Sequence, residues 1–513
     1  MRFLNMRLAL ALGLSVSIPV HIAWSQEADP TQKGEEVATP AEGSDQETET
    51  PEQGEKGDDA EKPEAKEEEK AKDEAKEEEE KPAPSLTLPE EVGALLFIEA
   101  ERLIVRPGKE LAGGKVIVRN GRIQSVGEDL VAPEGARTLK GKVVCAGFID
   151  PWSTLAIDTG SLYENRADAA SQTLDALELF GPKHAHERAL AAGVLAFETH
   201  VGARASIGGT GVILRTQPST QAEDILISDR SAMWSAVGLQ SDVISRIEEV
   251  DGLINKLLAG EAYLKSWRDY EKEVAEWEKE IAELQEKLEK DFKKAQKDRE
   301  KKVEKAKEEG KKFKDKRHKE PKPPRKPKVD ADKAALGRVM TGEVPLIVRA
   351  EHAAVLRNLL DATEELRSLR LVIAGGKNAM HVAPRLAERN IPVIVWPAEA
   401  LGESNSAEGT GLDLAGDLAR SGVTVLIGSG LAGDTSALPL YASLAVGHGL
   451  DSDQALAAIT TEVAEAFDLQ DELGSVRRGR RAELLILNGD PLSMGTQVQY
   501  VVSGGEVVVE PKE

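Results

Sequence analysis

The chain has a single cysteine, Cys145, among 513 residues, so no intramolecular disulfide can form. Cys145 sits in an apolar run and reads as a small buried thiol. After the N-terminus there is no apolar run long enough to cross a bilayer, so we expect no membrane span in the mature chain. The glycine-rich run Ser206-Ile207-Gly208-Gly209-Thr210-Gly211 has no lysine after its glycines and opens no helix, which excludes a phosphate cradle. It reads as a tight loop.

Charge is unevenly distributed. The net charge is -24, and residues 26–84 carry 23 acidic against 8 basic side chains, or -15 of that total. Arg2 and Arg7 precede an apolar run from Leu8 to about Ala23, followed by Ala23-Trp24-Ser25. This is the pattern of a signal peptide over residues 1–25 and of an exported, periplasmic protein. Residues 26–90 then read as an acidic linker with too little apolar surface to order itself.

From Leu95 the pattern becomes strands and turns. Lys115-Val116-Ile117-Val118 leads into Asn120-Gly121, a strong hairpin signal, and Arg122–Gly127 returns with period-two alternation. The C-terminus behaves likewise, with Leu484-Leu485-Ile486-Leu487 and a hairpin turning at Ser503-Gly504-Gly505. Between these ends, apolar strands such as Val194–Thr199, Leu346–Arg349, Leu371–Ala374, Pro392–Trp396 and Val423–Gly428 alternate with helical runs. That alternation predicts an α/β fold with a parallel sheet covered on both faces, closed as a TIM-like (β/α)8 barrel.

One segment interrupts it. Tyr263, Trp267, Tyr270, Val274, Trp277, Ile281, Leu284 and Leu288 follow a heptad spacing. Residues 290–328 then hold 19 basic against 8 acidic side chains, and Pro321, Pro323, Pro324 and Pro327 end any helix. We expect a charged helical insertion over 255–335, its core a long helix or hairpin over 262–320 with a proline-rich return. The aromatic seam suggests a coiled-coil contact and a homo-oligomer. The basic arm suits attraction to the acidic segment better than nucleic acid, so no nucleic-acid partner is expected.

Several motifs resemble those of the metal-dependent amidohydrolase superfamily, in its imidazolonepropionase-like and dihydroorotase-like branch. They are the Asn120-Gly121-Arg122-Ile123 hairpin, Gly147-Phe148-Ile149-Asp150, Ala455–Ala464, and the closing run Gly474–Leu484. The resemblance implies a composite β-sandwich from residues 91–145 and 476–513 beside a barrel over 146–475. It also implies a metal site, and there this sequence departs from the pattern. The family's first strand carries His-x-His where Trp152 and Thr154 stand. Arg349, Gly375 and Gly430 stand at its later ligand and catalytic-aspartate positions. An indole offers no lone pair to a metal, and an arginine repels one.

The resemblance therefore implies an exported, catalytically degenerate family member with no metal and no catalytic residues. It would bind a small anionic molecule at Arg349, or a partner protein. The alternative is an active hydrolase of cyclic-amide C–N bonds holding one Zn or similar divalent ion in a rebuilt site. Asp150, His200, Glu351, His352 and Asp434 are the residues near strand ends that could line such a residual pocket. His184 and His186 have His-x-His spacing but precede a helical run, where a polar helix start is the simpler reading.

Overall fold

Both ends of the described chain enter the same sheet. The computed structural model describes residues 95–511, apart from 165, 182, 241, 309, 311–320 and 399–410. The expected signal peptide, the acidic linker and residues 91–94 lie outside the described residues, as does part of the basic arm. Strands β1 (Leu95–Arg106), β2 (Lys109–Ala112), β3 (Lys115–Arg119), β4 (Arg122–Gly127) and β5 (Arg137–Ala146) open the chain.

The middle strands are β6 (Phe148–Asp150), β7 (Val194–Thr199), β8 (Gly209–Thr210), β9 (Val212–Arg215), β10 (Leu226–Ser228) and β11 (Met233–Ala236). After the insertion come β12 (Leu346–Ala350), β13 (Leu371–Gly375), β14 (Val393–Val395) and β15 (Val425–Ile427). The chain closes with β16 (Leu484–Leu487), β17 (Val498–Ser503) and β18 (Glu506–Val509).

The first sheet has the order β18-β17-β16-β5-β1-β3-β4, with β2 beside β1. Its two halves meet where β16 pairs antiparallel with β5, Leu485 opposite Cys145. The Asn120-Gly121 turn has both residues at positive φ, 51° and 74°, as a tight primed turn requires. Glycine is needed at 121 for a second reason. A Cβ there would lie 2.8 Å from the Gly504 carbonyl oxygen, because the turns from the two chain ends abut.

The middle strands form two sheets, with orders β10-β9-β7-β6 and β15-β14-β13-β12-β11-β8. Neighbours from β11 to β15 are parallel, as are β6 and β7. The inner faces share one core containing Ile149, Trp152, Ala196, Ile213, Trp234, Ile347, Val372, Ile394, Trp396 and Leu426. All six residues of β7 are buried, as expected of a strand covered on both faces. The two sheets are not one continuous ladder. They are joined at one side by Gly430 N–H donating to the Trp152 carbonyl at 2.9 Å.

The insertion's helix starts earlier than expected. A single helix runs Val243–Glu308, beginning directly after β11 and its loop. Its first turns bury Val250, Leu253 and Leu257. It then crosses helix Ala331–Met340 at a glycine contact. A Cβ at Gly260 would meet Leu336 Cβ at 2.6 Å, and one at Gly337 would meet Leu264 Cγ at 2.4 Å. Farther out, among the described residues, the aromatic seam is met by the proline-rich return. Trp277 Nε1 donates to the Pro321 carbonyl at 3.1 Å, and Asp330 N–H donates to the Tyr263 hydroxyl at 3.2 Å. The proline-rich return lies along the seam where a coiled-coil partner was expected. Among the described residues, no helix is long and apolar enough to cross a membrane.

Candidate functional site

At the C-terminal ends of the parallel strands, where a fold of this type carries its chemistry, aromatic side chains are packed together. Trp152 follows β6 and is 1% exposed. Its ring lies 4.5 Å from Trp396 in a T-shaped contact, 4.9 Å from Trp234 and 5.2 Å from His200. His200 is fully buried and stacks on Trp234, with centroids 3.6 Å apart and planes at 7°.

A buried carboxylate organises this group. Glu198 Oε1 accepts from Trp234 Nε1 at 2.7 Å and from Ser231 Oγ at 2.9 Å. Its Oε2 lies 3.3 Å from His200 Nδ1. Gly211 leaves the space for it, since a Cβ there would sit 2.1 Å from Glu198 Oε1.

Two of the five positions that the resemblance singles out, Gly375 and Gly430, are glycines for the same physical reason. A Cβ on Gly375 would lie 2.7 Å from Trp396 Cζ2 and 2.3 Å from Glu351 Oε1. One on Gly430 would lie 3.0 Å from both Cβ and Cγ of Trp396. The Trp396 indole thus lies against both glycines, where a side chain at either position would stand. Arg349 completes the cluster, its Cζ 5.8 Å from the Trp152 ring and 5.7 Å from the Trp396 ring. Its Nε is 3.6 Å from Glu351 Oε1 and has no hydrogen-bond partner.

Thr154 is the exception. Strand β6 ends at Asp150, so the strand rule that residues two apart face one way stops before position 154. Thr154 instead lines a separate cavity of about 160 Å³ with Leu155, Lys183, His186 and Ser219.

The five residual-pocket candidates are not brought to one point. Asp150 is fully buried and accepts from Trp152 N–H, Ser429 N–H and Ser429 Oγ at 3.1, 3.0 and 2.6 Å. Burial pushes its carboxyl up to about 7, against the opposing pull of the Ser429 bonds. His200 is locked between Glu198 and Trp234. Glu351 turns to Arg349 and to the Lys377 backbone N–H at 3.1 Å. His352 sits at the N-cap of helix Ala353–Ala362. Asp434 is exposed, caps Thr435–Ala437 and pairs with Arg188 at 3.1 Å. Burial pushes its carboxyl up, but bonds from Ser436 and the charge of Arg188 outweigh this and hold it below its ordinary value.

His186 stands apart as well. Its Nδ1 is 3.2 Å from the Thr216 carbonyl oxygen, and burial lowers its pKa. A cavity of about 910 Å³ opens at the opposite, N-terminal ends of β12 to β15, lined by Arg370, Arg389 and Glu462 among others.

A divalent ion does not fit these residues. Both Glu198 oxygens and one His200 nitrogen face partners inside the cluster, a guanidinium stands beside the indoles, and Trp396 fills the space over Gly375 and Gly430. Among the described residues, no three His, Cys, Asp or Glu side chains converge so as to hold a metal. Trp396, Trp234 and Glu198 escaped the sequence reading. A tryptophan just past the end of an apolar strand was the one available signal for Trp396.

A sequence profile of the amidohydrolase family matches residues 420–509. No curated protein matches. Among solved structures, an amidohydrolase from Thermotoga maritima is similar in fold over 81% of this chain and 100% of its own, with a TM-score of 0.61 and 21% identity. Molinate hydrolase is matched over 81% of this chain and 95% of its own, with a TM-score of 0.48 and 14% identity. The ochratoxinase of A. niger is matched over 82% and 96%, with a TM-score of 0.46 and 13% identity. The profile match over residues 420–509 and the fold shared with the Thermotoga maritima protein make this chain similar to the amidohydrolases in its C-terminal sequence and in its architecture.

Proposed function

We propose that this is a non-hydrolytic amidohydrolase, a barrel-type binding protein whose reaction centre has become an aromatic core. In this reading the two middle sheets are the halves of a (β/α)8 barrel, with β6 and β15 as its seam. The observation that carries it is the Trp396 indole lying over Gly375 and Gly430. The family reaction needs a metal-activated water and a base beside it. Here the corresponding volume is occupied by carbon.

Arg349 gives the site its remaining chemistry. A guanidinium beside two indoles suits a planar carboxylate at the rim of the cluster. The ligand in this reading is a small organic anion. Residues 1–25 would direct the protein to the periplasm. Recovery of a mature chain lacking those residues from that compartment is expected, and a cytoplasmic full-length chain would contradict it.

Tryptophan fluorescence on titration with a panel of small mono- and dicarboxylates tests the site. A saturable change for some member of the panel, lost in Arg349→Gln, is expected. Chelator-sensitive hydrolysis of a cyclic amide, abolished in His200→Ala, would overturn the reading in favour of a rebuilt metal site. In the present geometry His200 Nδ1 lies beside Glu198 and Asp434 pairs with Arg188, so a rebuilt site would have to draw on the unpartnered His200 Nε2.

A further inference from the structure

The aromatic seam of the helix Val243–Glu308 plays no part in the site above. In the proline-rich return, Pro321, Pro324 and Pro327 are half-buried, while residues 322, 323, 325, 326 and 328 are exposed. Burial at every third residue is the period of a polyproline II helix, which has three residues per turn. The return runs antiparallel to the seam. Its contacts pass in order from Pro321 at Trp277, through Lys326 with its Nζ 5.6 Å from the Trp267 ring, to Asp330 at Tyr263.

The spacing agrees with that conformation. From Trp267 to Trp277 the α-helix rises about 15 Å. From Pro321 to Lys326 a polyproline II helix also rises about 15 Å. The chemistry agrees as well. Indole faces take pyrrolidine rings and a lysine ammonium, and an indole N–H donates to a backbone carbonyl that the extended helix leaves free. One donor goes unused, because Trp267 Nε1 is buried and has no acceptor. The chain's own segment is thus an incomplete ligand for the surface it covers.

We propose that Tyr263, Trp267 and Trp277 form a polyproline-binding surface that is held in the resting chain by residues 321–330. It takes in trans a basic peptide with proline at every third residue. A peptide that places a carbonyl opposite Trp267 Nε1 gains the bond the resident segment lacks. That gives the incoming ligand an advantage of about tenfold over the same peptide without it. The resident segment competes as a tethered ligand and sets the threshold for entry.

The test uses the full chain with Pro321, Pro324 and Pro327 all changed to glycine, titrated with a synthetic peptide of the native sequence 321–330. Tryptophan fluorescence should report saturable one-to-one binding. The unaltered chain should bind the peptide at least tenfold more weakly, and so should the triple variant carrying Trp277→Ala. A peptide of the same composition with its prolines moved off the three-residue spacing should also bind at least tenfold more weakly.

No saturation at millimolar peptide would overturn the proposal. So would equal binding of the shuffled peptide, which would mean that charge alone is recognised. Self-association of the triple variant through the seam would overturn it too, by assigning the seam to a second helix. If the triple variant does not fold, hydrogen exchange of the unaltered chain decides. Excess peptide should speed exchange of the Asp330 amide, whose N–H the Tyr263 hydroxyl holds, and unchanged exchange there would contradict displacement.

Discussion

Replacing Gly375 by alanine places a methyl group where the Trp396 indole and the Glu351 carboxylate already lie. The φ of +85° adds backbone strain. The two effects together should cost about 2–4 kcal/mol. Gly479→Ala is the control, since its φ is +89° with nothing within 4 Å of the added methyl. It should cost only about 1–2 kcal/mol. Denaturant unfolding of the two variants checks whether steric filling by Trp396, and not backbone conformation alone, requires glycine at position 375. Trp152→Ala should lose about 3–5 kcal/mol in the same assay, as expected when a large core indole is truncated.

Asp150 makes a second prediction. Its folded pKa of about 7 lies above the unfolded value of about 3.9. Between about pH 4 and pH 7 the folded chain therefore keeps a proton that the unfolded chain has released, so this group stabilises at low pH. The contribution falls as pH rises through that window and is level above it. The protonated form can be accommodated, because Oδ2 can donate to Ser429 Oγ, which in turn lies 3.0 Å from the Trp152 carbonyl oxygen. The stability difference between the native chain and Asp150→Asn should change across the window by up to about 4 kcal/mol. A difference that is flat with pH would mean that Asp150 is ionised throughout.

Four of the five positions that the resemblance assigns to the metal site stood out in the sequence because chemistry alone disqualifies tryptophan, arginine and glycine as metal ligands. Their role was not legible. What a glycine makes room for is decided by a residue elsewhere in the chain, and nothing in the spacing of Gly375 or Gly430 points to Trp396. Thr154 lies apart from them for a local reason, since the short strand β6 ends before the alternation could reach it.

Among the elements, the insertion helix shows the same division between pattern and partner. Its aromatic period could be read directly, because an apolar stripe on a helix requires that spacing. The occupant of the stripe could not, because a heptad seam and a polyproline-binding face ask for similar residues. The glycine crossing of helices Val243–Glu308 and Ala331–Met340 provides the test at this level. Gly260→Leu should force the helices apart and destabilise the arm by about 1–3 kcal/mol. Protease cleavage confined to the arm would report it, and an arm as resistant as the native one would show that the contact is dispensable.

Across the described chain, turn chemistry at Asn120-Gly121 and Gly504-Gly505 foreshadowed the two hairpins, while their joining in one sheet was implied by the family resemblance alone. Those two turns meet, and Gly505 could carry a Cβ only 2.5 Å from Gly121 Cα. The middle strands were likewise recognisable from uninterrupted apolar runs. Their division into two sheets was not, because apolar content signals burial without fixing which neighbour a strand pairs with.

In the function proposed for this chain, an aromatic core stands in place of a metal centre. The most direct measurement is the metal content of the purified full chain after incubation with excess zinc and exhaustive dialysis, read by elemental mass spectrometry alongside the Trp152→Ala variant. The prediction is far less than one retained ion per chain in both. One zinc retained per native chain, and released with loss of thermal stability on chelation, would contradict it.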